Sequence, residues 1–570
     1  MKKRSFLIYL KRIFILILIV SSGSCTEHFE ELNSDPNNPV DVPAIHLFTQ
    51  VIIRSVKNEL CPFFFQDKLL SQQWSLVCWK EDDRYFPRSL TYRLDNYYIT
   101  DLLDLEIVIR KTREDIAGEK EIERNTSLLA AARIMRVWIF HLLTDMFGDI
   151  SYSEALQGLD ADGITFPKFD TQESIYMGLL NELDEANALL DLSQAANFGE
   201  GDLFFNGDPE KWKKFGNSLK LRILNRCAGT PWSFTYAMVG TGPFTTTAGA
   251  IAYTNADAEI AAILSDPSEH PILSGHDDNV QLFYPGGPYM QPIYAVIDRT
   301  HSIISETMVD WLEARGDPRL HIFAQPTAKY VDGNSSDPYV GEQNGAPYVC
   351  ANEPTISFLG LHIGYDESAP LYIFTYDEIE FIKAEHYLRQ GDDVAARNAY
   401  EEGIAASMIR WGCLDGETIS PSYMNWAREV FTLPDTQNID YATYLAHPLV
   451  DWNAAANNGE KYQHIIEHKW AASFTQGWQA WHEARRTGFP ARIFEYEFMG
   501  TYFPDLGMPV RIRINEEEAL LNAENFEKAQ KRQNIEETNY GLFSTDGIKS
   551  QMWWHTRKNP IPKEVDPPAK

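Results

Sequence analysis

Tyr376-Asp-Glu-Ile-Glu-Phe-Ile-Lys-Ala-Glu-His-Tyr-Leu-Arg-Gln-Gly-Asp-Asp-Val-Ala-Ala-Arg-Asn-Ala-Tyr-Glu-Glu-Gly-Ile-Ala-Ala-Ser-Met-Ile-Arg-Trp411 reads as two helices interrupted once, at Gly391-Asp392. Helical periodicity runs over 376–389 and again over 393–411. Glycine stops the first helix, and Asp392 stands where an N-cap opens the second. Small and aromatic residues recur as Ala384-x2-Tyr387-x8-Ala396-x3-Tyr400-x2-Gly403. The small residues let two antiparallel helices approach, and the aromatic rings fill the groove between them.

Outward from this pair, the same period recurs. Leu128, Ala131, Met135, Trp138, Ile139, Leu142 and Met146 share one helical face, as do Ile175, Leu179, Leu183, Ala186 and Leu190. Asp208-Pro209 opens a further helix with proline at its first position, and Trp212, Phe215, Leu219 and Ile223 form its stripe. A last helix is expected over 463–486. The 384–403 spacing is that of tetratricopeptide repeats. With three or four further helix pairs it predicts an all-α fold, a tetratricopeptide-like helical-repeat scaffold with irregular, loop-rich elaborations. Trp212 and Tyr387 lie on apolar stripes and are expected in the core.

The N-terminus carries Lys2, Lys3, Arg4, Lys11 and Arg12, an apolar run from Ile13 to Val20, then Ser-Gly-Ser-Cys25. That run is too short to cross a bilayer, which takes about 20 apolar residues. A basic, then apolar, then small-residue order is that of a secretory signal, and a cysteine right after the small residues points to lipidation at Cys25. The expected organisation is a signal peptide over 1–24, an acylated tether over 25–43, and a single domain over 44–570. Helix pairs are expected mainly in 44–228 and 372–412, with loop-rich, ligand-facing insertions at about 229–371 and 413–460.

Removing the signal takes five basic side chains and no acid, so the net charge moves from −31 to −36. So acidic a surface repels phosphate backbones and excludes nucleic acid as a partner class. It leaves acyl chains, and not surface charge, to hold the protein at a membrane. Cys61, Cys78, Cys227, Cys350 and Cys413 make an odd set with no C-x-x-C. A Cys61–Cys78 bridge is open but not fixed by sequence. His464 and His468 stand four apart without a placed third ligand, so no metal and no cofactor is expected.

Adjacent carboxylates occur at Asp82-Asp83, Asp277-Asp278 and Asp392-Asp393, the minimum for glycoside hydrolysis. Among 81 acidic residues such pairs arise by chance, and no G-x-S-x-G, H-E-x-x-H or Walker sequence is present. The expectation is a non-enzyme without catalytic residues. Binding is the better reading, because sugar rings stack C–H faces on Trp and Tyr beside polar partners. Two segments fit: Trp74-x4-Trp79-Lys-Glu-Asp-Asp-Arg-Tyr85-Phe86 and Phe283-Tyr284-Pro-Gly-Gly-Pro-Tyr289-Met-Gln-Pro-Ile-Tyr294. The polar run is expected to carry its last aromatics, Tyr85 and Phe86, into solvent, and Pro and Gly to hold the aromatics of the second segment outward, with Trp79, Tyr85, Tyr284 and Tyr289 as the candidate ligand contacts. Trp74 follows an apolar helical pattern and is expected in the core.

Phe29-Glu-Glu-Leu-Asn33-x-Asp35-Pro36-Asn37 follows Cys25, and further marks lie downstream: Leu143-Thr-Asp-Met-Phe-Gly-Asp-Ile-Ser-Tyr-Ser-Glu-Ala155, Lys211-Trp-Lys-Lys-Phe-Gly-Asn-Ser-Leu-Lys-Leu-Arg222 and Asp317-Pro-Arg-Leu320. Tyr339-x-Gly341, Tyr376-x-Glu378 with Ala384-Glu385, and Gly477-Trp-Gln-Ala-Trp-His-Glu-Ala-Arg-Arg-Thr-Gly-Phe-Pro490 complete the set. In this order the chain resembles a SusD/RagB nutrient-binding outer-membrane lipoprotein of the SusD-like branch. Ser151 departs from the family's usual proline, Ile514-Asn515 from its Tyr-Pro, and His555 from a frequent Asp. The acidic stretch Glu27, Glu30, Glu31 resembles the surface-export signal of Bacteroidetes lipoproteins. The resemblance implies a lipid-anchored protein on the cell surface of the outer membrane. It would pass an oligosaccharide to a SusC-like TonB-dependent transporter. It also implies an aromatic ligand platform from the two segments above. A peptide ligand in the same role, a surface adhesion or structural protein, and an α-helical glycosidase are the alternatives.

Overall fold

The computed structural model describes residues 42–60, 65–77, 82–85, 91–92, 94–159, 162–228, 234–236, 251–253, 255–297, 302–346, 355–415, 418–419, 441–494, 509–514, 520–533, 539–540, 543–544 and 552–556. Cys25, Cys61, Cys78, Trp79 and Cys350 lie outside them. The N-terminal half runs α1 (Ala44–Leu60), α2 (Gln66–Leu70), β1 (Trp74–Leu76), α3 (Leu103–Ala117), α4 (Ile122–Phe147), α5 (Gln172–Leu189), α6 (Pro209–Cys227) and α7 (Ala256–Ser265). Then follow β2 (Val280–Leu282), β3 (Ser302–Ile304), α8 (Glu306–Glu313), β4 (Leu371–Phe374), α9 (Tyr376–Gln390), α10 (Asp393–Arg410), α11 (Asn458–Ala472), α12 (Gly477–Thr487), β5 (Arg513–Ile514) and α13 (Ala523–Arg532). Among the described residues the strands pair two at a time, so helices carry the architecture.

Sequential helices pack on one another: α3 on α4, α4 on α5, α5 on α6, α6 on α7, then α9 on α10, with α11 and α12 closing over α9 and α2. One hydrophobic core extends from Phe48 to Trp554. The α9–α10 pair follows its sequence closely. Gly391 takes φ 79°, and the Asp392 side chain accepts the Ala395 amide at 3.0 Å. Ala384 and Ala396 are fully buried, and Gly403 lies flat on the Phe381 ring. Tyr387 is half-buried, which is less than its stripe predicts.

Helix α4 begins at Ile122 and is buried on every side from Ser127 to Phe147, not on one face. It is long and apolar enough to cross a membrane, but its neighbours α3, α5 and α6 cover it instead. Its polar residues are paired inside: Arg136 with Glu182 and Glu106, and Arg133 with Glu182 and Glu185.

The helix expected over 463–486 is two helices. Thr475 takes φ 77°, and Gly477 restarts the chain against the backbone of α2, where a Cβ would fall 2.5 Å from the Asp67 carbonyl carbon. Only glycine permits that approach. Trp74 is in the core as expected, 1% exposed, but on a strand that pairs antiparallel with Ser302–Ile304. Gln72 at φ 50° breaks the helical course just before it. The 256–364 region holds short helices among its loops, with α7 capped by Asn255 and α8 by Ser305.

Candidate functional site

The segment 283–294 leaves β2, which pairs antiparallel with β4. Gly286 and Gly287 take φ 77° and 60°, and the Tyr289 amide returns to the Gly286 carbonyl at 3.1 Å. Behind the turn, the Gln291 amide donates to the Glu367 carbonyl at 2.8 Å, and the Gln291 side chain accepts from the Tyr294 amide at 2.7 Å. A turn fixed at both ends holds Phe283 and Tyr289 outward, 63% and 72% exposed. Tyr284 points the other way, half-buried against the core. Val296 and Tyr365 add exposed apolar side chains on the two segments that the Gln291–Glu367 bond joins. Phe283 escaped the sequence reading of individual site residues, although it precedes Tyr284 directly.

The other expected segment behaves differently. Asp83 is fully buried and acts as a knot: its carboxylate accepts from Ser75 Oγ at 2.9 Å, Asn344 Nδ2 at 2.6 Å and the Gly345 amide at 3.2 Å. Tyr85, at φ 59° and 1% exposed, turns back into the core. The expectation of a solvent-facing Tyr85 is therefore corrected. Asp83 is drawn inward because it finds three donors there, and Tyr85 follows two residues later.

Beside this knot lies a groove absent from the sequence reading. A cavity of about 350 Å³ is lined by Glu306, Asp310, Glu313, Asp337, Tyr339 and their neighbours. The spacing Glu306, Asp310, Glu313 along one face of α8 was its available signal. Ser305, which starts the helix, hydrogen-bonds Gln73 and Asn344, so the groove adjoins the segment that ends at Tyr85. Arg492 pairs with Glu306 at 2.8 Å and with Asp310. Burial, with Asp310 and Asp337 nearby, raises the Glu313 carboxyl above its usual range. Chemically, the groove offers an array of acceptors for hydroxyl or amine donors.

The adjacent aspartates have structural work. Asp278 holds Lys214 and the Ser274 amide, Asp392 caps α10, and Asp393 holds Lys461 and Trp452. His468 is buried against Tyr400 and the His464 carbonyl, and no group of three metal-type ligands occurs among the described residues. The sequence marks also pair with one another: Arg222 with Glu378, and Arg486 with Glu385.

The family model SusD-like_2, described as starch-binding and associating with the outer membrane, matches residues 36–239 and 248–513. The chain belongs to the SusD-like family. Solved structures agree on the fold. A SusD homologue from Bacteroides fragilis is 24% identical over 91% of this chain and 100% of its own, with a TM-score of 0.69. A chitin-binding SusD homologue from Flavobacterium johnsoniae is 22% identical over 91% and 98%, with a TM-score of 0.63. Another chitin-binding protein is 21% identical over 90% and 99%, with a TM-score of 0.66. No curated protein matches the sequence. The SusD-like fold and the outer-membrane association of the family replace the resemblance stated from the motifs.

Proposed function

We propose that this chain is a cell-surface lipoprotein, acylated at Cys25, that captures an oligosaccharide and hands it to a SusC-like TonB-dependent transporter. The turn that holds Phe283 and Tyr289 in solvent carries this reading, because rings so exposed and so firmly held stack on sugar faces at little entropic cost. The family description as starch-binding and the chitin-binding relatives support a glycan. Trp79 and Tyr289 remain the proposed contacts, with Phe283 added, Tyr85 withdrawn, and Tyr284, turned toward the core, kept only as the ring that backs the turn. The carboxylate groove favours a second reading, a peptide ligand with basic side chains.

Calorimetric titration with a panel of oligosaccharides tests the reading, on wild type and on Trp79→Ala, Phe283→Ala, Tyr284→Ala and Tyr289→Ala. Loss of one stacked ring is expected to weaken binding by about 1–2 kcal/mol. The exposed Tyr289→Ala is expected to change stability by less than about 0.5 kcal/mol. Wild-type affinity from all four variants would move the platform elsewhere. Binding of basic peptides, and of no glycan, would put the second reading first.

A further inference from the structure

The turn that holds Phe283 and Tyr289 outward carries a carboxylate as well as rings. Gly286, at φ 77°, leaves room that the Glu367 side chain fills: a Cβ on Gly286 would stand 3.0 Å from Glu367 Oε1 and 3.2 Å from its Cγ and Cδ. A Cβ on the next residue, Gly287, would meet no atom within 4 Å. The carboxylate therefore lies against the turn, one residue from its open face. The backbone that presents it is fixed on both sides. The Glu367 carbonyl accepts from the buried Gln291 amide at 2.8 Å, and the Asp366 carboxylate before it accepts from the Ser368 amide at 3.0 Å and hydroxyl at 2.8 Å.

Glu367 and Tyr289 meet on one turn. The Tyr289 amide donates to the Gly286 carbonyl at 3.1 Å, and a turn closed in this way brings its first and last Cα atoms within about 7 Å. One pyranose ring with its hydroxyls spans that distance. Asp366 is engaged with Ser368 and, at 3.3 Å, with His362, whereas the exposed Glu367 carboxylate pairs with no described residue. By sequence, 280–297 and 361–371 hold these two acids and no lysine or arginine, on a chain of net charge −31.

A carboxylate accepts hydrogen bonds and donates none, and its two oxygens suit two adjacent hydroxyls. Bonds of that kind are charge-assisted and stronger than those between neutral groups. A ligand carboxylate or sulfate at the same place would instead face a like charge, with no lysine or arginine from either segment to offset it. We propose that Glu367 is the specificity-determining residue of the platform: it accepts hydroxyl hydrogen bonds from a neutral sugar stacked on Tyr289 and turns away anionic sugars. This inference rests on the reading of the turn as a glycan platform, and it narrows the ligand to glycans without uronic acid or sulfate at the stacked ring.

Calorimetric titration of the full mature protein at low ionic strength reads the preference, with malto-, cello-, xylo-, manno- and N-acetylchitohexaose as neutral probes and hexagalacturonate as the anionic one. Wild type is expected to bind at least one neutral probe roughly tenfold or more tightly than hexagalacturonate. Glu367→Gln keeps the shape and removes the charge, and is expected to weaken that neutral binding roughly three- to tenfold. Glu367→Lys is expected to bind hexagalacturonate more tightly than wild type does. A residue that only holds the turn would weaken both classes of probe alike in these variants, and that result overturns the proposal. Neutral binding unchanged in Glu367→Gln but lost in Tyr289→Ala also overturns it, and leaves the platform standing. Wild-type preference for hexagalacturonate overturns it without any variant. Binding of no probe by wild type removes the platform and this inference with it.

Discussion

Trp212→Phe isolates one buried hydrogen bond at the centre of the N-terminal helices. The Trp212 ring is fully buried among Phe48, Phe198, Phe204, Phe205 and Phe215, with centroids 5.4–6.4 Å away. Its Nε1 donates to Asp202 Oδ2 at 2.7 Å. Asp202 is 2% exposed, and burial already holds its carboxyl above the usual range despite donors from Trp212 and from the Gly207 and Phe204 amides. Phenylalanine keeps most of the packing and removes one charge-assisted bond. Such bonds contribute about 1.5–3 kcal/mol, and the smaller ring adds a little more, so a loss of roughly 2–4 kcal/mol is expected. Trp212→Ala adds the cavity term of about 3–5 kcal/mol to the same lost bond. The sum approaches the whole stability of an ordinary domain, about 5–15 kcal/mol. Equilibrium denaturant unfolding with a shared m-value measures both variants. A Trp212→Phe loss below about 0.5 kcal/mol refutes the assignment of Asp202 as a carboxylate that depends on this donor. Native-like melting of Trp212→Ala with lost glycan binding means that core and site are assigned the wrong way round.

Acid should destabilise the protein through its buried histidines. Burial draws His141 down to about 4, and His468 and His482 well below their ordinary value. All three stay neutral in the folded state while the unfolded chain takes up protons below about pH 6.5, so stability falls as pH drops through that point. His141 alone accounts for roughly 3 kcal/mol by pH 4. Glu59 works in the opposite sense. Burial pushes its carboxyl up to about 7, so its contribution is lost as pH rises from about 4.5 to 7, and Glu59→Gln should gain stability over wild type across that window. A pH-independent difference between the two melting curves counts against this. Gly477→Ala sets a helix-propensity gain of about 1 kcal/mol against a backbone collision at α2, and overpacking of about 1–3 kcal/mol should win. An unchanged or raised melting temperature refutes the close approach. Cys25→Ser should abolish fatty-acid labelling and release the protein from the membrane fraction, since each acyl CH2 contributes about 0.8 kcal/mol of membrane affinity. Persistent labelling rejects the anchor.

The sequence by itself determined what depends on neighbours in the chain. Helix period, the Asp208-Pro209 and Gly391-Asp392 boundaries and the small-residue seam of α9 and α10 were legible, because caps and stripes act within a few residues. The ordered marks from Phe29 to Pro490 were enough for the family. Tertiary structure decided what depends on distant partners. Tyr85 is buried because Asp83 meets Asn344, a residue 261 positions away. Trp74 lies on a strand because Ser302–Ile304 offers an edge, and the helix expected over 463–486 breaks because α2 passes close to Gly477. The carboxylate groove arises where α8 meets the 337–341 segment. Apart from the Glu306, Asp310, Glu313 spacing of α8, none of these leaves a local period, since the free energy that selects them comes from desolvation and hydrogen bonding between segments that only the folded chain brings together.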